Sequence, residues 1–144
     1  MRALLDLNAI IALLDPDHAF HNRAHQWWAL NAKRGWASCA ITENGIVRIM
    51  SNPGYSQKAR FTPGDLIGRL RQFAGNTDHE FWPDDISLRD TSIFAAGHIH
   101  TPRSITDIYL LALAVNHGGR LATFDHGIPL SGAANAKAAN LCVI

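Results

Sequence analysis

Short apolar runs that stop at a polar residue predict the strands of this chain. The run 3–5 ends at Asp6 and the run 121–124 ends at Asp125, a pattern typical of buried strands. Three further segments have strand character, at residues 36–38, around 80–82 and at 141–144. The apolar pattern therefore predicts five strands distributed along the whole chain.

Between these runs, apolar residues recur at helical spacing in four segments. They lie between Pro16 and Gly35, at 41–50, at 63–73, and between Thr106 and Gly118. The first is expected to span about four turns, and Thr106 is expected to be the N-cap of the last. Glu43 and Asp107 then fall in the first turns of two helices. The stretch 97–105 is expected to be an exposed loop beside the functional site.

Alternating strands and helices predict an α/β fold, in which helices cover both faces of a parallel sheet. In such sheets, ligands bind beyond the carboxyl ends of the strands, and Asp6 and Asp125 occupy such positions. The helices that carry Glu43 and Asp107 are expected to start at the same edge. The four acidic side chains are therefore predicted to converge.

Carboxylates that converge without cationic partners repel one another, and each raises the pKa of its neighbours. A divalent cation relieves this repulsion, and all-oxygen ligands favour Mg²⁺ or Mn²⁺. One or two such ions activate water and stabilise the leaving oxygen when a phosphodiester is displaced. The four acids therefore predict a metal centre that needs no nucleophilic side chain.

Each acid also has a purely structural alternative. Asp107 would complement the dipole of its own helix beside the Thr106 cap, and a lone Glu43 is equally ambiguous. Asp6 is harder to explain in this way, because a carboxylate directly after a buried strand is costly unless it is paired or ligated. By themselves, these spacings indicate a metal-binding α/β domain and no more.

Composition narrows the possible functions. The 144 residues suffice for one domain, and 47% apolar against 17% charged residues favours a folded chain. A net charge of +1 excludes bulk attraction to nucleic acid, so phosphate contacts have to come from local cations. The candidates for phosphate contacts are Arg48, Lys58, Arg60 and Arg103.

The cysteines and the lengths of the apolar segments indicate in which cellular compartment the protein is expected. Cys39 and Cys142 lack the spacing of a metal finger, and both are expected to be reduced and buried. Too few apolar residues precede Asp6 for a signal peptide, and no later segment has membrane-spanning length. We therefore expect a cytoplasmic protein with no membrane partner.

The histidines and tryptophans of the chain could in principle bind a metal or stack on bases, but other roles are expected for them. His18, His21 and His25 lie on one helical stripe, and His98 and His100 form a second group, but neither group has the partners of a zinc site. A solvated face or a contact with RNA is expected instead. Core and interface positions, rather than base-stacking platforms, are expected for Trp27, Trp28, Trp36 and Trp82.

Four segments resemble, in the same order, the acidic blocks of PIN domains, particularly those of VapC toxins from bacterial toxin–antitoxin pairs. They are residues 4–14, 41–49, 105–114 and 120–125, and each contains one of the four acids. The resemblance covers nearly the whole chain, although residues 56–89 match only loosely. It implies a PIN-like three-layer α/β/α fold with a parallel sheet of about five strands, in a single domain of residues 1–144.

The resemblance also implies an activity, which is metal-dependent endonucleolytic cleavage of RNA to 5′-phosphate and 3′-hydroxyl ends. The ligands of one or two Mg²⁺ or Mn²⁺ ions, directly or through water, would be Asp6, Glu43, Asp107 and Asp125. The supporting polar residues would be Asn8, Thr106 and Thr123. The implied partners are an RNA substrate, a small co-expressed antitoxin that inhibits the toxin, and a second copy of the chain in a homodimer.

Two other functions fit part of the pattern. A phosphatase of the haloacid-dehalogenase type also has an aspartate after its first strand, but it needs a second acid two residues later, where this chain has Asn8. A non-catalytic domain of the same fold would bind RNA or protein and use its acids structurally. The complete set of four acids argues against this second alternative.

Overall fold

The computed structural model describes residues 1–144 and contains one sheet of five strands. The strands are β1 (Ala3–Leu5), β2 (Trp36–Ser38), β3 (His79–Phe81), β4 (Arg120–Thr123) and β5 (Leu141–Val143). They lie in the order β3-β2-β1-β4-β5, and every pairing is parallel. The central strand is therefore β1, and its carboxyl end lies at the same edge of the sheet as that of β4.

Both faces of the sheet are buried, because successive side chains of a strand point to opposite sides. Leu5 and Trp36 pack into the core on one face, whereas Leu4, Ala37 and Leu121 pack into the core on the other. None of these five residues is more than 1% exposed. Burial on two sides explains why the strands are continuous apolar runs rather than alternating ones.

Five α-helices cover the two faces of this sheet. They are α1 (Leu7–Leu14), α2 (His21–Asn31), α3 (Ala40–Met50), α4 (Pro63–Gly75) and α5 (Ile105–Asn116). Helices α1 to α4 contribute side chains to one core, and α5 packs into the other. The predicted α/β class and its three-layer α/β/α arrangement around a parallel sheet are confirmed.

The spacing of apolar residues does not predict α1. The helix has only eight residues, about two turns, and residues 9–13 are all buried, so its apolar positions follow one another without polar residues between them. Polar groups fix its two ends instead. Asp6 is its N-cap, and ring nitrogens of His21 and His25 donate to carbonyl oxygens in its last turn, at distances of 2.7 and 3.0 Å. Two histidines of the predicted stripe therefore cap the C-terminus of α1.

The start of α5 differs from the prediction that Thr106 is its N-cap. The helix begins at Ile105, and Ser104 holds the N-cap position without a side-chain hydrogen bond. The backbone is already helical at Ser104, so Thr106 lies exposed in the first turn. The preceding stretch 97–105 is largely exposed, as predicted, but it contains the 3₁₀ turns Ala96–His98 and Pro102–Ser104.

Helix α2 is shorter than the four turns predicted. It has 11 residues, which is about three turns. The ring of His18 accepts the backbone N–H of Phe20 at 3.0 Å, and this turn delays the start of the helix until His21. Phe20 is consequently the N-cap of α2, and 42% of its surface is exposed.

Neither cysteine forms a disulfide. Cys39 is buried, as predicted, whereas Cys142 is only half-buried because it lies on the edge strand β5. Trp36 and Trp82 are buried core residues, in agreement with the prediction, and Trp27 and Trp28 are half-buried. No helix of the chain combines the length and the apolar character that crossing a membrane requires.

Replacing Gly119 by alanine tests the packing at the start of β4. A Cβ atom at this position would lie 2.5 Å from Cη2 of Trp82 and 2.7 Å from the carbonyl oxygen of Arg2. Because that oxygen belongs to the backbone, we expect Gly119→Ala to lower the free energy of unfolding by about 2 kcal/mol or more. Urea unfolding followed by circular dichroism measures this loss.

Gly68→Ala is the matched control, since nothing lies within 4 Å of a Cβ atom there. Gly68 is exposed in the interior of α4, so alanine is expected to raise the free energy of unfolding by about 0.5–1 kcal/mol. Equal stability of the two variants would contradict the packing described for Gly119.

Candidate active site

Asp6 is an acid whose orientation is fixed from two sides. It follows β1 directly, is 8% exposed and forms the N-cap of α1. Its Oδ1 accepts the backbone N–H of Leu7 at 2.7 Å, and its Oδ2 accepts the hydroxyl of Thr123 at 2.7 Å. Both carboxylate oxygens therefore have protein donors, which hold the group in one orientation.

Thr123 connects Asp6 with a second acid, Asp125. Strands β1 and β4 pair with Leu5 opposite Ala122, which places Thr123, the last residue of β4, beside Asp6. The hydroxyl that donates to Asp6 also accepts the backbone N–H of Asp125 at 3.0 Å. One buried hydroxyl thus positions both acids.

Asp107 completes a group of three carboxylates. It lies half-buried in the first turn of α5, as predicted. Burial, and then the charges of Asp6 and Asp125, raise the pKa of Asp107 to about 6. Burial also raises the pKa of Asp6, although the hydrogen bonds from Thr123 and Leu7 oppose this rise, and the charge of Asp125 adds to it. We call Asp6, Asp107 and Asp125 the aspartate group.

No cationic side chain neutralises the aspartate group. The ion pairs of the chain join Arg2 to Asp78 and Glu80, and His117 to Asp85. All of them lie outside the group. The mutual repulsion that raises the pKa of Asp107 is therefore not compensated by any protein cation.

Glu43 belongs to a separate hydrogen-bond network. It lies in the first turn of α3, as predicted, and its Oε1 accepts the hydroxyl of Ser38 at 2.6 Å. Nε2 of His79 lies 2.8 Å from the same hydroxyl. Burial lowers the pKa of His79, and the nearby charge of Glu43 opposes this shift. Three of the four predicted acids, Asp6, Asp107 and Asp125, thus lie close enough for their charges to interact, whereas the fourth, Glu43, is bonded to Ser38 and not to this group.

The donor set determines which metal these residues fit. No three acidic, histidine or cysteine side chains lie close enough to form a complete cage for one ion. Mg²⁺ does not require such a cage, because it keeps several waters and binds through one or two carboxylates together with substrate phosphates. The aspartate group offers oxygen ligands only, and its charge is uncompensated. These residues therefore fit a hard divalent cation such as Mg²⁺ or Mn²⁺.

Comparison with known proteins identifies the family. The sequence model of the PIN domain matches residues 3–130, which contain all four acids. The chain belongs to the PIN-domain family. This PIN domain is 43% identical to Ribonuclease VapC44 of Mycobacterium tuberculosis over 144 residues, which is 100% of both chains.

Two further relatives from Mycobacterium tuberculosis agree. Ribonuclease VapC39 is 41% identical over 134 residues, which cover 93% of this chain and 96% of the relative. Ribonuclease VapC38 is 39% identical over 134 residues, which cover 88% and 86%. The PIN domain is therefore of the VapC type, and nothing in these matches supports the phosphatase alternative.

The remaining predicted polar and basic residues of the PIN domain lie on its surface. Asn8 is exposed in the first turn of α1. The four cations predicted to contact phosphate are also exposed, and none forms a salt bridge: Arg48, Lys58, Arg60 and Arg103. The guanidinium of Arg60 donates to the carbonyl of Pro53. Their charges are not neutralised by protein carboxylates.

Ser38 and His79 are the polar residues beside the acids that the sequence pattern does not single out. Ser38 is the last residue of β2, the position that Thr123 has in β4, and this equivalence is a signal that could identify it. His79 has no comparable signal. It reaches Ser38 only because β2 and β3 pair with Trp36 opposite His79, and the sequence does not specify that register.

The raised pKa of Asp107 predicts a loss of stability as the pH rises. The pKa of an aspartate in an unfolded chain is about 4, whereas the pKa of Asp107 in the folded protein is about 6. The folded PIN domain binds this proton more tightly, so the stabilisation is complete below about pH 4 and is lost as the pH rises through about 6. Urea unfolding at several pH values, without divalent metal, is expected to show this fall, and Asp107→Asn is expected to reduce it.

A carboxyl NMR titration tests the cause of that shift. Asp6→Asn removes one of the two charges that act on Asp107, so the pKa of Asp107 is expected to be lower in this variant than in the wild type. An Asp107 pKa that is the same in both proteins would show that the two carboxylates do not interact.

Proposed function

We propose that this chain is a metal-dependent endoribonuclease toxin. The proposal rests on the aspartate group at the carboxyl edge of the sheet, whose charges no protein cation neutralises. Membership of the VapC type supports RNA as the substrate, since the relatives are named ribonucleases.

The proposed cofactor is Mg²⁺ or Mn²⁺, as one or two ions. Asp6, Asp107 and Asp125 would hold it, and Glu43 would join them directly or through water. When bound, the metal supplies an activated water and neutralises the charge that develops on the phosphate and on the leaving oxygen. The chain then needs no nucleophilic side chain of its own.

The residues of the chain prepare the site before the substrate arrives. Thr123 and the N–H of Leu7 fix the oxygens of Asp6, so its orientation costs no reorganisation during the reaction. Asp107, with a pKa of about 6, holds a proton in mildly acidic solution and releases it when a cation binds beside it.

The proposed reaction is hydrolysis of an internal phosphodiester of RNA. Water adds to phosphorus, the bond to the 3′ oxygen breaks, and this oxygen leaves with a proton. The products are a 5′-phosphate and a 3′-hydroxyl. The exposed cations Arg48, Lys58, Arg60 and Arg103 would bind flanking phosphates and supply the attraction that the net charge of +1 does not.

The proposed partners follow from the VapC type. A small antitoxin would inhibit the enzyme, and two copies of the chain would form a homodimer. An open groove of about 540 Å³ between α3 and α4 supports protein binding, because its lining includes Glu43 and the exposed apolar side chains of Ile67 and Phe81. We further propose that residues 1–144 form one domain and that the protein acts in the cytoplasm.

Asp6→Asn tests the proposed activity. This substitution keeps the acceptor for Leu7 but removes the charge that would bind the metal. We expect RNA cleavage to fall roughly a thousandfold, as the loss of about 4 kcal/mol of transition-state stabilisation requires, while the fold is retained. The assay incubates purified protein and labelled RNA with Mn²⁺ or with a chelator, and maps the ends of the products.

The matched control is Asp90→Asn. Asp90 is exposed, and its side chain bonds only to the neighbouring Ser92. This variant is expected to cleave at the wild-type rate. Wild-type cleavage that persists in the chelator, or Asp6→Asn protein as active as the Asp90 variant, would refute the proposed chemistry.

A further inference from the structure

Two aromatic rings and one guanidinium form a cluster that includes Phe124, the residue before Asp125. We call Phe20, Arg23 and Phe124 the aromatic cluster. The ring centroids of Phe20 and Phe124 are 4.8 Å apart. Cζ of Arg23 lies 5.8 Å from the centroid of Phe20 and 5.9 Å from that of Phe124. The cation therefore contacts two rings at once.

The aromatic cluster is connected to the proposed metal ligands through the backbone. Phe124 lies between Thr123, which donates to Asp6, and Asp125. The bond from the Asp125 N–H to the Thr123 hydroxyl closes a turn around Phe124 and fixes its backbone. Phe124 is therefore adjacent in sequence to an acid of the proposed site, in a turn that this bond closes.

The exposure of the cluster is not explained by core packing. Phe20 is 42% exposed and Arg23 is exposed, whereas Phe124 is half-buried at the edge of the core. The backbone N–H of Phe20 donates to the ring of His18, whose centroid lies 5.9 Å from that of the Phe20 ring. The fold thus leaves a large apolar ring partly exposed to solvent beside Arg23 and Phe124.

Arg23 adds a positive charge that no carboxylate of the chain neutralises. It takes part in none of the ion pairs of the structure. A guanidinium that is stacked on aromatic rings can still bind a phosphate or stack on a further ring. Rings and an unpaired guanidinium together match the two parts of a nucleotide, its base and its phosphate.

We propose that the aromatic cluster is a subsite for an unpaired nucleobase that flanks the phosphate held at the aspartate group. This inference rests on the proposed function, since it names residues that would contact the RNA beside the proposed metal ligands. Stacking needs an accessible base face, which a single strand offers and a duplex hides. The base would stack on Phe20, and Arg23 would bind its phosphate.

Binding to the inactive Asp6→Asn protein tests the subsite without cleavage. The probe is a fluorescein-labelled single-stranded RNA of twelve nucleotides, and fluorescence anisotropy measures its dissociation constant. Adding Phe20→Ala is expected to raise this constant roughly tenfold, the size of one base–aromatic stack. Phe20→Leu keeps an apolar side chain but has no aromatic face, so it is expected to weaken binding similarly. Phe20→Trp is expected to preserve it.

Arg23→Ala and Arg34→Ala form a charge-matched pair on the same Asp6→Asn background. Arg34 is exposed and follows the other end of α2. Arg23→Ala is expected to weaken binding and to reduce the slope of log affinity against log salt by about one. Arg34→Ala is expected to leave both quantities near those of the parent protein.

Cross-linking locates the contact directly. RNA that contains 5-bromouridine is irradiated with the Asp6→Asn protein, and mass spectrometry is expected to find the modified peptide at Phe20 or Phe124. Cross-links confined to other segments, together with unchanged affinity of the Phe20 variants, would overturn the subsite. If the wild-type chain still cleaves RNA, the proposed function survives that result. If it neither binds nor cleaves RNA, both proposals fail.

Discussion

The hydrogen bond from Thr123 to Asp6 is the contact on which the aspartate group depends. It joins residues 117 positions apart, and it forms because β1 and β4 pair in parallel with their carboxyl ends at one edge. The same hydroxyl also positions Asp125. A change of register by one residue would turn Thr123 to the opposite face of the sheet and separate the acids. The chemistry of the edge therefore depends on the packing of the whole sheet.

This arrangement concentrates negative charge where the fold offers little to offset it. The N-terminus of α1 contributes a partial positive charge at Asp6, and two donors satisfy the carboxylate. The pKa of Asp6 is nevertheless raised, so burial outweighs these contacts. Such strain is typical of functional sites, where stability is sacrificed for groups that only a ligand can neutralise.

The sequence predicts the strands and helices better than the side-chain contacts between them. Asp6 and Asp125 could be placed at strand ends because the buried apolar runs stop there, and Asp107 in a first turn because a long apolar segment follows it up to Gly118. Helix α1 is not predicted, because it is only eight residues long and its apolar residues follow those of β1 with only Asp6 and Asn8 between them. The approach of His79 to Ser38 could not be predicted either, because it depends on the pairing of β2 with β3, whereas the bond from Ser38 to Glu43 is local.

The long separation between the members of the aspartate group also affects synthesis of the chain. Asp6 leaves the ribosome well before Thr123, which lies 117 positions further along the chain, and before Asp125. The pairing of β1 with β4 cannot form before then. A nascent polypeptide that stops before Asp125 would therefore lack the assembled acids of the aspartate group.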